Sequence, residues 1–143
     1  MGKSRKQPGT ADDIEAAFYD AIGRADVDAL MALWADDDEI VCIHPGMPRL
    51  VGHASIRASW EGIFEQGSVL IRPVHLRATQ NLMVAIHNVV EEIKRGGGDQ
   101  QEIHIIATNV YLKTPHGWRI ATHHASVAPG AAPHEKIGMA TLH

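Results

Sequence analysis

Apolar residues follow a helical period in the first part of the chain and change to strand-like runs in the second. Three segments place apolar side chains three or four positions apart, as one buried face of a helix requires. These positions are Ile14, Ala17, Phe18, Ala21 and Ile22; Val27, Leu30, Met31, Leu33 and Trp34; and Ile56, Trp60, Ile63 and Phe64. The spacing predicts three amphipathic helices.

Residues that favour helix ends lie at the borders of these segments. Thr10 and Asp26 each precede a segment, and their side chains can accept hydrogen bonds from the first free N–H groups of a helix. Gly67 follows the third segment, and a glycine commonly ends a helix. The helices are therefore expected to begin after Thr10, Asp26 and Gly52.

Strand-like composition dominates the remainder of the domain. Four runs rich in Val, Ile, Leu and Thr predict long strands at residues 69–79, 82–94, 102–113 and 118–126. A shorter strand is predicted at residues 39–44, just before Pro45. Residues 96–99 and 114–117 are turn-forming and predict hairpins, so the sheet is expected to be antiparallel. Pro73 predicts a bulge or a sheet edge in the first long strand.

Helices followed by strands indicate an α+β fold. The chain has 143 residues, which suits one domain with its own core. Residues 1–9 are expected to be a mobile leader, and residues 10–127 a single domain. Residues 128–143 lack a core pattern and are expected to be a tail of low structure.

Composition narrows the classes of function. Lys and Arg number 13 against 17 Asp and Glu, giving a net charge of −4, so we expect no nucleic acid partner. No apolar run is long enough to span a bilayer, and the basic N-terminus lacks the apolar core of a secretory signal. Cys42 is the single cysteine and cannot form an internal disulfide. A cytoplasmic location is therefore expected.

Several motifs occur together in an order that is familiar from one superfamily. They lie at residues 23–30, 33–37, 51–52, 117–120 and 123–126. With the order of helices and strands, the chain resembles the nuclear transport factor two-like superfamily, within its SnoaL-like and ketosteroid-isomerase-like branch. The resemblance covers about residues 11–127. It implies three N-terminal helices packed on a curved antiparallel sheet that forms a cone with one pocket, and it implies frequent dimers.

The resemblance also points to candidate catalytic residues. In ketosteroid isomerase the general base is an Asp just before a proline on the first strand, and His44 occupies the matching position here. The isomerase oxyanion hole uses a Tyr on the first helix and a neutral Asp on a late strand. Phe18, with Tyr19 adjacent, and Asn109 or Thr108 fall near those positions. This departure argues against steroid isomerisation, while His44 remains the candidate base with Asn109 and Tyr19 as candidate catalytic partners.

Other residues are candidates for binding the ligand. Phe18, Trp34, Trp60, Ile105 and His124 are expected to line the cone. Strand alternation sends His123 and His124 to opposite faces, so at most one of them enters it. The alternative interpretation of each strand histidine is a hydrogen-bonded sheet or dimer-interface residue.

No metal site is predicted, because the sequence has no His-x-x-x-His on a helix and no cysteine pair, and no organic cofactor is implied.

Two functions remain open from the sequence. The first is a small-molecule pocket protein of the lyase, isomerase or cyclase class, in which His44 removes a proton next to a carbonyl. The second is a non-catalytic association or binding module, like the kinase association domains of the same fold. A homodimer through the sheet face is expected in either case.

Overall fold

The structure is a computed structural model and describes residues 9–95, 103–129 and 135–138. Its helices are α1 (Ala11–Gly23), α2 (Val27–Met31) and α3 (His53–Glu65). Its strands are β1 (Val41–Ile43), β2 (Leu50–Val51), β3 (Val69–Gln80), β4 (Val84–Arg95), β5 (Ile103–Thr114) and β6 (Gly117–Val127). The α+β class and the three helices on a curved, unclosed sheet are confirmed.

Side-chain caps set the starts of the first two helices. Thr10 Oγ1 accepts a hydrogen bond from the backbone N–H of Asp13 at 3.0 Å, and Asp13 Oδ2 accepts one from the N–H of Thr10 at 3.2 Å. This reciprocal pair is a capping box. Asp26 Oδ1 accepts from the N–H of Ala29 at 3.0 Å and caps α2. The side chains of Thr10 and Asp26 therefore cap the first two helices at the predicted starts.

Helix α2 is shorter than its apolar spacing predicts. It ends at Met31, and the next residues pair with β6 instead. The N–H of Ile120 donates to the carbonyl of Leu33 at 2.8 Å, and the N–H of Ala35 donates to the carbonyl of Ile120 at 2.8 Å. Strand pairing thus overrides helical periodicity at Trp34, which forms an isolated bridge with Ile120.

The strands follow the order β2-β1-β6-β5-β4-β3. From β3 to β6 they form an antiparallel meander, as predicted. Strand β1, however, runs parallel to β6, so the sheet is mixed. No hairpin joins β1 to β6, so the pattern of turn residues could not predict the direction of β1 relative to β6. Strand β2 has only two residues and was not predicted.

Strand β3 is an edge of the sheet and contains a bulge that begins after Val74, one residue beyond Pro73. The pairing with β4 shifts between Val74 and Arg77, and His75 takes a positive φ of 52°. Proline lacks an N–H group and is tolerated at edges and bulges. A bulge bends and twists its strand, so Pro73 marks a place where the sheet curves.

Side chains on the inner face of the sheet, which packs against the helices, form the core. Alternate residues of β4 (Ala85, His87, Val89 and Glu91) and β5 (Ile105, Ala107, Asn109 and Tyr111) are buried there. His87, Asn109 and His123 stand directly opposite one another on three adjacent strands. The core therefore contains a row of polar residues within a largely apolar face, with Glu91 as a further buried polar residue.

The predictions for the two ends of the chain are only partly within the described residues. Residues 1–8, 96–102, 130–134 and 139–143 lie outside them, including the predicted loop at 96–99. Ala128 is buried, and its N–H donates to the carbonyl of His104 at 3.0 Å. Glu135 forms an ion pair with Arg77 of β3. No helix within the described part of the chain has the length and apolar character to cross a membrane.

Candidate functional site

A cavity of about 500 Å³ lies between α3 and the inner face of the sheet. We call it the cone pocket. Its apolar lining includes Met47, Ile63, Val69, Ile71, Ile103 and Ile105. Its polar lining consists of His44, Ser59, Gln66, Glu91 and His123, besides the indole of Trp60. Among the described residues no lysine or arginine lines it, so the cone pocket suits an uncharged, largely apolar molecule.

Glu91 places a buried carboxyl group in the cone pocket. It lies on β4 and is 2% exposed. Its Oε2 accepts a hydrogen bond from the hydroxyl of Tyr19 at 2.7 Å. Burial raises the pKa of Glu91 to about 7; the hydrogen bond from Tyr19 opposes this, and the charge of Glu15 adds to it. A carboxyl group with this pKa can both accept and release a proton near neutral pH.

Glu91 was not among the predicted site residues, although the sequence contains a signal for it. Glu91 and Glu92 are adjacent on one strand, so alternation sends one of them inward. Glu92 is the outward one, where it pairs with Arg72. Two adjacent carboxylates in a strand that packs on helices therefore indicate one buried acid.

A chain of hydrogen bonds leads from Glu91 to His123. The hydroxyl of Tyr19 donates to Glu91, and Nδ2 of Asn109 donates to that hydroxyl at 3.0 Å. Nδ1 of His123 lies 2.6 Å from Oδ1 of Asn109. Burial lowers the pKa of His123 to about 3, and the nearby His44 and His124 contribute smaller effects in the same direction. His123 is therefore neutral at physiological pH, and the chain connects two groups of the cone pocket.

A second buried carboxylate, that of Glu15, is hydrogen-bonded to Asn109, the middle residue of this hydrogen-bonded chain. Oε2 of Glu15 accepts hydrogen bonds from Tyr111 at 2.7 Å and Asn109 at 3.5 Å, and lies 2.8 Å from Nδ1 of His87. These contacts hold the Glu15 side chain against three neighbouring side chains. Glu15 does not line the cone pocket, so it fixes Asn109 and does not meet a ligand.

His44 follows β1 and also lines the cone pocket. Its Nε2 lies 2.9 Å from Oγ of Ser59, whose single hydroxyl proton is donated to the carbonyl of Ile56 at 2.7 Å. Nε2 of His44 must then be the donor, which leaves Nδ1 as an acceptor. The imidazole stands edge-on to Trp60, with ring centroids 4.8 Å apart. Burial lowers the pKa of His44, so this ring is also neutral near pH 7.

The residues predicted from the sequence fall into three groups. His44, Trp60 and Ile105 line the cone pocket directly. Three others, Phe18, Tyr19 and Asn109, lie in the layer behind its lining: Phe18 packs against Trp60 and His123, while Tyr19 and Asn109 form the hydrogen-bonded chain. The other two predicted ligand-binding residues, Trp34 and His124, lie elsewhere.

Trp34 and His124 lie outside the cone pocket for different reasons. Trp34 lines a separate cleft beside Lys113 and Arg119, because the chain leaves α2 early to pair with β6. His124 is exposed on the outer face of the sheet, since alternation gives the inner position to His123. Within residues 9–95, 103–129 and 135–138, no group of His, Cys, Asp and Glu side chains is arranged to hold a metal ion.

Comparison with protein families assigns the domain. The family model of the SnoaL-like domain matches residues 12–130. The chain belongs to the SnoaL-like family. No curated protein matches the sequence.

Solved structures with the same fold span several assigned roles. A candidate dehydratase of the nuclear transport factor two-like family from Streptomyces avermitilis is 28% identical, with a TM-score of 0.75 over 82% of this chain and 93% of that one. A candidate calcium/calmodulin-dependent protein kinase type II association domain from Thiobacillus denitrificans is 33% identical, with a TM-score of 0.76 over 87% and 99%. A ketosteroid isomerase-like protein from Erwinia carotovora atroseptica is 18% identical, with a TM-score of 0.68 over 89% and 100%, and shows the fold alone.

Proposed function

We propose that this SnoaL-like domain binds an uncharged, largely apolar small molecule in the cone pocket and transfers protons on it. Glu91 is the principal general acid–base, and His44 is a second proton acceptor. The reaction class is that of a lyase, isomerase or cyclase that removes a proton next to a carbonyl. The observation that carries the proposal is the buried carboxyl of Glu91, with a pKa of about 7, in an apolar cavity.

Glu91 has a stronger basis for this role than His44. A general base works best when its pKa lies near the working pH, because it is then both ionised and basic. Glu91 meets that condition, whereas burial lowers the pKa of His44 and makes its ring a weaker base. The Tyr19 hydroxyl, which donates to Oε2 of Glu91, stabilises the carboxylate before it accepts a proton. Tyr19 and Asn109 are therefore positioning residues in this mechanism.

Deuterium exchange tests the proposal without knowledge of the natural substrate. The protein is incubated in D2O with a panel of apolar cyclic and aromatic ketones, and deuterium uptake next to the carbonyl is followed by mass spectrometry. We expect at least one ketone to exchange faster with the wild-type protein than in buffer. Glu91→Gln should abolish that excess, His44→Ala should reduce it, and Glu92→Gln on the outer face should leave it unchanged. Exchange that stays at the buffer rate for the whole panel, or is equal in Glu91→Gln, would contradict the proposal.

The second candidate function is an association module, and the outer face of the sheet favours it. Two cross-strand apolar pairs lie there, Ile86 with Val110 and Val90 with Ile106. Ile86 is 40% exposed, and the other three are half-buried. An apolar patch on the open face of a sheet is a common site of protein association. A homodimer through this face would bury it, in keeping with the similarity to the Thiobacillus association domain.

Light scattering after size-exclusion chromatography tests this second function. We expect a dimer for the wild-type protein and a monomer for Ile106→Asp, with Leu82→Asp, at an exposed site outside the patch, as the matched control. A monomeric wild-type protein would contradict association through the sheet face. Dimerisation together with no ketone exchange would favour the association module over the enzyme.

A further inference from the structure

We propose that the ligand of the cone pocket carries a hydroxyl group, which donates a hydrogen bond to Nε2 of His123. This inference rests on the proposed function, because it assumes that the cone pocket holds a small molecule. It identifies a specificity-determining residue, His123, that is separate from the proton-transferring residues.

The amide of Asn109 has one orientation that satisfies its neighbours. Its Nδ2 faces two oxygen atoms, the hydroxyl of Tyr19 at 3.0 Å and Oε2 of Glu15 at 3.5 Å. Tyr19 has a single proton and donates it to Glu91, so its oxygen can only accept from Asn109. A flipped amide would place its carbonyl oxygen against two acceptors. We therefore assign Nδ2 to the side of Tyr19 and Glu15, and Oδ1 to the side of His123.

This amide orientation fixes the tautomer of His123. Nδ1 of His123 lies 2.6 Å from Oδ1 of Asn109, which can only accept, so Nδ1 carries the proton. His123 is neutral at physiological pH, because burial lowers its pKa to about 3. A neutral imidazole has one N–H group, so Nε2 is left with a lone pair and no proton.

Nε2 of His123 opens onto the cavity. The residue lines the cone pocket, and its other ring nitrogen is bound to Asn109. Nε2 makes no hydrogen bond within the described residues, and it is not among their enclosed polar atoms that lack a partner. The remaining place for its partner is the cavity itself. An acceptor of this kind favours a ligand that brings a donor.

The other polar atoms of the cone pocket reinforce this preference. Oε1 of Glu91 is free of the bond to Tyr19, and Nδ1 of His44 is an acceptor because Nε2 donates to Ser59. The hydroxyl proton of Ser59 is already donated to Ile56. The indole N–H of Trp60 is enclosed and does not reach the open cavity. When Glu91 is ionised, His123, Glu91 and His44 thus present three acceptors, and an apolar ligand without a donor would leave them unpaired. The amide donor of Gln66, the remaining polar group of the lining, belongs to an exposed residue.

Binding of matched probes tests the inference. The probes are β-naphthol, which has a hydroxyl donor, and its methyl ether, which has the same ring system but no donor. We expect the wild-type protein to bind β-naphthol about tenfold more tightly than the ether, as measured by calorimetry. His123→Phe should reduce this preference while retaining ether binding, and His124→Phe on the outer face should leave the preference at its wild-type value. Equal dissociation constants for both probes in the wild-type protein would overturn the inference.

A spectroscopic measurement on the wild-type protein covers the case in which His123→Phe does not fold. Long-range proton–nitrogen correlation spectra distinguish the two neutral tautomers of an imidazole. We expect His123 to be protonated at Nδ1, and β-naphthol to shift the Nε2 resonance more than its ether does. A proton on Nε2 would overturn the assignment. Absence of binding by either probe would contradict the cone pocket as a small-molecule site, which is a failure of the proposed function and is distinct from equal binding of both.

Discussion

Replacing Glu91 by Gln should make the protein more stable at alkaline pH. The pKa of Glu91 is about 7 in the folded protein, against an ordinary value of 4.5. A group whose pKa is raised on folding binds its proton more tightly in the folded state, so its protonation stabilises the fold. That contribution is fully present below pH 4.5 and is lost as the pH rises through 7. Glutamine keeps the shape and the acceptor for Tyr19 but has no charge to bury.

The size of the effect follows from the difference in pKa. One pKa unit corresponds to about 1.4 kcal/mol, so the free energy of unfolding of the wild-type protein should fall by about 3 kcal/mol relative to Glu91→Gln between pH 4.5 and pH 8. For a chain of this size the melting temperatures should diverge by about 10 °C over that range. Subtracting the free energy of unfolding of one protein from that of the other removes the contributions of the titrating groups that the two proteins share.

Urea unfolding at a series of pH values, followed by circular dichroism, measures this difference. Glu92→Gln is the matched control, because Glu92 lies on the outer face and the hydrogen bond that it accepts from Arg72 lowers its pKa. The contribution of Glu92 to stability should therefore be lost as the pH falls, which is the opposite direction. If the free energies of unfolding of the wild-type protein and Glu91→Gln change in parallel from pH 4.5 to 8, the pKa of Glu91 is not raised by folding, which would refute this prediction.

Three further predictions test other parts of the structure. Tyr19→Phe removes the hydrogen bond that lowers the pKa of Glu91, so the midpoint of the alkaline loss of stability should move to higher pH, and an unchanged midpoint would contradict the contact. Asp26→Ala removes the cap on the N–H of Ala29 and should cost about 1 kcal/mol in urea unfolding, whereas no loss would show that the cap is not formed. Cys42 is buried, and burial raises its pKa to about 12, so it should react with a thiol reagent only as fast as the protein unfolds; rapid labelling of the native protein would disprove its burial.

Much of the fold was accessible from the sequence because local signals and tertiary packing agree. The apolar period, the caps at Thr10 and Asp26 and the turn at 114–117 each correspond to an element border in the structure. The exceptions arise from pairing between distant segments. The parallel contact of β1 with β6 and the early end of α2 at Trp34 depend on partners about 80 residues away, and no local pattern carries that information.

The candidate site was predicted less completely than the fold. The resemblance to ketosteroid isomerase, together with the position of His44 at a strand end before Pro45, pointed to His44, which does line the cone pocket. Glu91 was missed because a carboxylate in a strand is usually solvated, and only the relation of its strand to α1 buries it. Alternation separated His123 from His124 but could not decide which of them faces inward. That choice depends on the register of β6 against β5, where His123 stands opposite Asn109.

Carbon-13 NMR titration of the side-chain carboxyl of Glu91 tests the central claim most directly. The resonance can be assigned by its absence in Glu91→Gln, and the resonance of Glu92 provides an internal comparison. A midpoint near pH 7 for Glu91, and below the ordinary range for Glu92, is the result that the structure requires. A midpoint for Glu91 near its ordinary value of 4.5 would contradict a buried, proton-exchanging acid in the cone pocket.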